Sequence, residues 1–423
     1  MKFDIRDFGA YQSDRTVTKE IQAAIDACHA AGGGEVIIPA GIFRVGMIWL
    51  RSNVTLHLER GAVLEGSERC EDYENYPADL SGYEHPYTPG RICGSIDPYS
   101  NWNRAIIKAI GAENIAIIGE EFSYIDGSDC YDGEGEENYR GPHPINLTAC
   151  KSITLRGYTV RRGGNWGHAI FDSENIKISG VSVFGGHDGI DIFRCVNVEI
   201  RDCVIHSGDD CIAGYGSKGV LVERCEFSTA CSVFRFGGTD VLARECHQIA
   251  GPARYSHRFN LTEEEKSRRV ATSDACRRNA HNAFLYYCDQ RFPVLDTPGN
   301  IVIEDSVFES SDSVFRMDFG NHIWCCHTPL KSITFRRCKH TNLIIPTLIN
   351  GSTELPFVMR LEDVELSAHA DFAGEAVIEA KEFSELWLDG VRFHGFTAPR
   401  IITSGKGKIY AENTDGFVVA MAK

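Results

Sequence analysis

Residues 175–225 read NIKISGVSVFGGHDGIDIFRCVNVEIRDCVIHSGDDCIAGYGSKGVLVERC. One phrase returns three times within them: a polar or glycine corner, then apolar residues alternating with polar ones, then a small residue or cysteine. It stands as NIKISG (175–180), NVEIRDC (197–203) and GVLVERC (219–225). Strict alternation over four to six residues marks a strand with one buried face. The phrase continues outward as NIAIIG (114–119) and SITLRG (152–157) on one side and as DVLAREC (240–246), NIVIEDS (300–306) and SITFRRC (332–338) on the other, with SELWLDG (384–390) as a late coil. From Ser152 the starts are 23, 22, 22 and 21 residues apart; a long gap then precedes Asn300, and 32 residues lead on to Ser332.

Recurrence near 22 residues is the mark of a solenoid, in which each coil buries the face of its neighbour. Three short strands and three corners use about that many residues at roughly 3.3 Å per strand residue. Helical repeats run to about 33 residues or more, and the leucine density of leucine-rich repeats is absent. The expected fold is all-β, a right-handed parallel β-helix forming one domain over residues 1–423.

The cysteines keep the same register. Cys203, Cys225, Cys246 and Cys338 each fall six residues after a coil start, which predicts a ladder on one wall. A metal or redox cluster is one reading of such a ladder. With no CxxC pair in the chain, a column of small buried hydrophobes is the better one. At the N-terminus Ile21, Ala24, Ile25 and Cys28 share a helical face, Thr16 or Thr18 offers a cap, and Gly32–Gly34 stop the helix. That amphipathic helix would plug the open end of the solenoid and block edge-to-edge association. Two stretches break the repeat and read as long insertions over the cleft. Residues 67–104 are rich in Tyr, Pro and acids. Residues 247–299 are polar and locally basic, with a helix expected at Thr262–Arg269.

A formal charge of −16 argues against nucleic-acid and membrane-surface partners, which call for a basic face. No run of about 18 apolar residues suggests a membrane span. The opening MKFDIRDFGAYQSD lacks the apolar core of an export signal, so the 16 cysteines are expected to be reduced thiols in the cytoplasm. Composition sets no oligomeric state.

The chemistry concentrates in residues 185–216. Asp188 lies 21 residues before Asp209 and 22 before Asp210. At this period the three occupy one corner of adjacent coils, about 4.8 Å apart. Crowded carboxylates push one another's proton affinities up, so one can stay protonated as an acid while another activates water. Glycoside hydrolysis needs that division, and inverting enzymes leave roughly 6.5–9.5 Å for the water. Clustered Asp also suits a hard cation, and Gly-Asp and His-Asp-Gly also serve turns.

The chain resembles glycoside hydrolase family 28, the polygalacturonases. The opening from FDIRDFGAYQSD through NVTLHLERGAVL, and the stretch from IDGSD (125–129) through NIKISGVSV, are similar to that family's coils. Its Asn-Thr-Asp-Gly signature is matched by Gly186-His187-Asp188-Gly189, and its Asp-Asp pair by Asp209-Asp210. The resemblance implies a single-step inverting hydrolysis of an oligosaccharide, with no covalent intermediate, no cofactor and no metal. Asp209 would be the general acid, with Asp188 and Asp210 activating water.

The departures are specific. Where the family has Gly-His-Gly, this chain has Ala230-Cys231-Ser232, with Arg235 a new cation nearby. Where the family has Arg-Ile-Lys to grip a uronate, this chain has Arg316-Met317-Asp318. Asp318 suits the hydroxyls of a neutral or amino sugar, whereas Arg235 and Arg316 could fork around a carboxylate. His187 stands beside Asp188, and Trp166 and His168 fall one coil earlier, so all three are candidates for substrate contact. His206 reads as a strand residue. Loops long enough to close the groove point to exo action on a pectin-derived or related oligosaccharide. Two rivals remain open: a lyase-type β-helix enzyme, and an inactive carbohydrate-binding descendant.

Overall fold

The computed structural model describes residues 1–74, 101–135, 138–257, 262, 264, 280–289, 293–320 and 326–421. It is a right-handed parallel β-helix built from three stacks of parallel strands. In the stack that carries the repeated phrase, Ile153, Ile176, Val198, Val220 and Val241 lie on successive rungs, all buried. The coil period set by the sequence is therefore the rung register. The polar residue that opens each phrase makes the corner. Asn175 and Asn197 have φ of 56° and 57°, a left-handed conformation that Asn tolerates better than most residues. Asn197 Nδ2 donates to Asn175 Oδ1 at 3.1 Å, and Asn300 Nδ2 to Asp240 Oδ1 at 2.8 Å.

The cysteine ladder is a buried column. Cys203, Cys225, Cys246 and Cys338 are at most 2% exposed and are free thiols. Each donates to the carbonyl two residues back, as Cys203 does to Arg201 at 3.2 Å and Cys246 to Arg244 at 3.3 Å.

The N-terminal helix spans Thr18–Ala30 with Ile21, Ala24, Ile25 and Cys28 inside the core. Its cap differs from expectation. Val17 holds the N-cap position without a side-chain bond, while Thr18 Oγ1 accepts from the Gly46 backbone at 2.9 Å.

The second insertion is shorter than the sequence suggested. His247–Gln248 pairs with Val307 and Phe308 as a normal rung. Ala280–Tyr286 forms a full rung between Ser232–Arg244 and Ser311–Asp318. Its outward His281 and buried Asn282 spoil the apolar alternation, which hid the strand. Val241 pairs directly with Ile301, so the long gap adds no coil to that stack. The helix expected at Thr262–Arg269 lies outside the described residues except at 262 and 264, as does most of the first insertion.

The stack that matters for chemistry includes Ile190–Phe193 and the long strands Ile212–Glu223 and Ser232–Arg244, which bend round a corner into the neighbouring stack. Ile190, Ile212 and Phe234 are in register and point into the core. Because side chains alternate across a strand, Asp191, Ala213 and Arg235, also in register, point the other way, to the outer face.

Candidate active site

Asp188, Asp210 and Ser232 occupy one corner of three successive coils. Each corner's amide donates to the carboxylate of the coil before: Asp210 N to Asp188 Oδ1 at 3.0 Å, and Ser232 N to Asp210 Oδ1 at 2.8 Å. These bonds fix both carboxylates. Asp209 projects beside them, its Oδ1 accepting from Asp210 N at 3.1 Å. One oxygen from each of the three lies within 4.8 Å of the others. Asp209 is the most accessible, with 15% of its side chain exposed against 2% for Asp188 and 5% for Asp210.

Two arginines and a histidine face the acids. Arg235 places Nε 2.5 Å from Asp210 Oδ2, in a contact not aligned as a hydrogen bond, and Nη2 3.6 Å from Asp188 Oδ2. Its guanidinium lies 4.5 Å from the centre of the Tyr287 ring. His257 Nε2 is 2.7 Å from Asp209 Oδ2, and Arg140 Nη2 is 3.6 Å from the same oxygen. A divalent cation at the trio would have to displace these groups. A fourth acid, Asp191, is wholly buried and within hydrogen-bonding reach of Asp188. Two carboxyls bond only when one keeps a proton.

The electrostatics divide the trio. Burial pushes Asp188 well above the usual carboxylate range, and Asp209, Asp191 and Asp210 add to it against Arg235. Burial raises Asp210 to about 6, Arg235 opposing and Asp209 adding. Burial also works upward on Asp209, but the charge and hydrogen bond of His257, with Arg140 and Arg235, outweigh it and hold that carboxyl well below the usual range. The crowding expected from sequence is real, but in the free site it falls on Asp188 and Asp210.

The model of the right-handed β-helix region matches residues 101–251. The chain is 28% identical over 272 residues to the exo-poly-α-D-galacturonosidase of Dickeya chrysanthemi, which covers 52% of this chain and 43% of that protein. It is 44% identical over 226 residues to alginate lyase 7 of Azotobacter vinelandii, covering 53% of this chain and 22% of that one. The fold matches the exopolygalacturonase of Thermotoga maritima with a TM-score of 0.66 at 19% identity, covering 94% of this chain and 92% of that one. Over about half its length the chain is similar to polygalacturonases. It spans less than half the length of the curated relatives it first matches.

The residues expected to touch substrate fall into two groups. Arg235 meets the carboxylates as described, so it holds Asp210 and Asp188 in place of a substrate carboxylate. Arg316 lies two rungs further along the same column, with 42% of its side chain exposed and Nη2 3.7 Å from Asp318 Oδ2. Asp318 also accepts from Asn350 Nδ2 at 2.8 Å. His187 is buried against Tyr139, its Nδ1 3.4 Å from Arg140 Nη1, so it supports Arg140.

Two expectations are corrected. His168 shares the inward register of Ile145 and Ile190 and is shut inside the solenoid. Its Nε2 meets Tyr158 Oη at 3.0 Å, and burial pushes it down to about 4. Trp166, 6% exposed, stacks on Phe193 and meets Trp102 edge-on at 4.8 Å, so it is a packing residue in a wall. His206 is a strand residue, bonded to Glu226 at 3.0 Å.

Sequence reasoning missed His257, Arg140 and Asp191. The first two come from irregular segments, where no repeat places them. Asp191 was readable, since its parity in Ile190–Phe193 puts it on the face of Arg235.

Proposed function

We propose that this protein is an inverting glycoside hydrolase acting from the end of a pectin-derived or related acidic oligosaccharide. The observation that carries the reading is the graded exposure of the trio. Asp209 alone is open enough to reach a glycosidic oxygen, so it is the proton donor. Asp188 and Asp210 are too buried to bond to an anomeric carbon themselves, yet they can hold and deprotonate a water molecule between them and the sugar.

The trio is tighter than the span of about 6.5–9.5 Å that inverting enzymes usually leave, and close to the roughly 5–5.5 Å of retaining ones. Burial favours inversion, because a retaining nucleophile must touch the sugar. Arg235 draws Asp210 and Asp188 toward their charged forms. Arg316, at two rungs or about 10 Å along the groove, suits a carboxylate on a neighbouring sugar. Exo action is supported by the wall of Trp102 and Trp166. Gly167 N donates to Asp188 O at 2.9 Å, so this wall stands one coil from the trio. The relationship to an exo-poly-α-D-galacturonosidase agrees with that.

The test is to offer galacturonate oligosaccharides and follow the release of monosaccharide. Release of monomer from the first time points supports the reading. Random shortening of the oligosaccharides refutes exo action.

The likeness to an alginate lyase favours a second reading, elimination. It needs a base to take a proton beside the uronate carboxylate. Arg235 is a poor one: burial works against its charge, but Asp210 and Asp188 outweigh that and hold it protonated far above neutral pH. An ultraviolet-absorbing unsaturated product would establish elimination.

A further inference from the structure

The family's histidine after the Asp pair is replaced here by Cys231, whose thiol lies within hydrogen-bonding reach of Asp209. Burial, with Asp209, Asp210 and Asp188 around it, pushes the thiol well up, so Cys231 stays neutral and gives up no proton to become a thiolate near neutral pH. The imidazole in the site arrives from elsewhere. His257 is 48 residues beyond Asp209, at the end of a segment that leaves the barrel after Gln248 and folds back over the Asp209 corner.

That segment is built into the wall. Gly251 N donates to Ser310 Oγ at 2.8 Å, and Arg254 N to Ser228 Oγ at 3.0 Å. Ala253 and Ser256 are buried, and Tyr255 stacks on Phe184. Ser256 O lies 2.1 Å from where a Cβ on Gly208 would stand, so the glycine before Asp209 is what lets the segment close on the corner. His257 is thus delivered by fixed backbone.

Asp209 has a task its surroundings oppose. A general acid must hold a proton, yet Asp209 in the free site sits well below the usual carboxylate range, because His257, Arg140 and Arg235 outweigh its burial. The charged and titratable groups facing the pair, among the described residues, are Asp188 and Asp191 from one coil, Asp210 from its own, Cys231 and Arg235 from the next, and Arg140 from the loop before. Beside these, the His257 imidazole touches Asp209 directly, and imidazole is the side chain whose ordinary titration lies nearest neutral pH.

Resting on the hydrolase reading above, we propose that His257 is a positioning residue holding, in its 2.7 Å contact with Asp209, the proton that Asp209 delivers to the leaving oxygen. As the anomeric C–O bond breaks, its electron pair stays on the leaving oxygen, which takes the proton shared by Asp209 and His257. Water adds to the anomeric carbon and passes its proton to Asp188 or Asp210. The carboxyl then releases that proton to solvent, and solvent returns one to the imidazole.

The experiment compares wild type, His257→Gln, His257→Ala and Asp209→Asn on a galacturonate oligosaccharide across pH. His257→Gln keeps a hydrogen-bond donor and loses the titratable proton. The inference expects Gln and Ala alike to lower kcat about a hundredfold with KM little changed, to move the alkaline limb at least one unit to lower pH, and added imidazole to restore part of kcat in His257→Ala but none in Asp209→Asn. Wild-type rate and pH profile in His257→Gln would overturn it and leave the hydrolase reading intact. Should wild type itself not hydrolyse, both fall.

Discussion

His257 Nε2 sits 2.7 Å from Asp209 Oδ2 across 48 residues of chain, while on the other side of the trio Arg235 takes Asp210 and Asp188. On the proposed reading, these two groups sort three neighbouring carboxylates into one accessible donor and two buried holders of water. Replacing the donor should separate chemistry from binding. Asp209→Asn is expected to lower kcat by about 10²–10⁴ and to leave oligosaccharide affinity within a few-fold, measured by calorimetry beside single-turnover rates.

The water-activating side sets the acid limb. Asp210 must be ionised to work, and burial, tempered by Arg235, places it at about 6. Below that pH kcat/KM should fall tenfold per unit; above it the rate should level off. Arg235 lowers Asp210, so Arg235→Gln should move the limb to higher pH. Unpairing buried carboxylates costs about 3–5 kcal/mol, so a lower Tm should accompany the shift.

On the proposed reading, Asp188 contributes function at the expense of stability. Burial and its acidic neighbours raise it well above its unfolded value. A carboxyl raised in this way favours the fold at low pH, and that contribution is lost as pH rises through the folded value. Asp188→Asn carries no such charge. It should abolish turnover yet raise Tm by about 1–3 °C at pH 7.5, with the gain vanishing near pH 3, as read by calorimetry.

The corner ladder is testable without substrate. Asn197 combines a φ of 57° with its bond to Asn175. Asn197→Ala should cost about 1–3 kcal/mol in denaturant unfolding. Asn197→Gly, free of the backbone penalty, should cost clearly less.

What could be read from sequence followed the repeat. NIKISG, NVEIRDC and GVLVERC gave the rung register directly, and the 22-residue step from Asp188 to Asp210 became a hydrogen bond between coils. Parity was the finer signal: applied to His168, it would have put that ring inside with Ile190, and applied to Asp191, it would have put that acid outside with Arg235. Ala280–Tyr286 was hidden because His281 and Asn282 stand where an apolar alternation was sought. His257 and Arg140 had no such handle. Their places depend on how irregular chain closes over a corner, and the one trace was Gly208, whose missing Cβ makes room for Ser256.

The central claim is that the buried Asp188 and Asp210 act through water while Asp209 supplies the proton. Proton NMR of the first sugar released from a galacturonate oligosaccharide tests it most directly. The account predicts that the new reducing end appears first as the inverted β-anomer and only later mutarotates. First appearance of the retained α-anomer would contradict it.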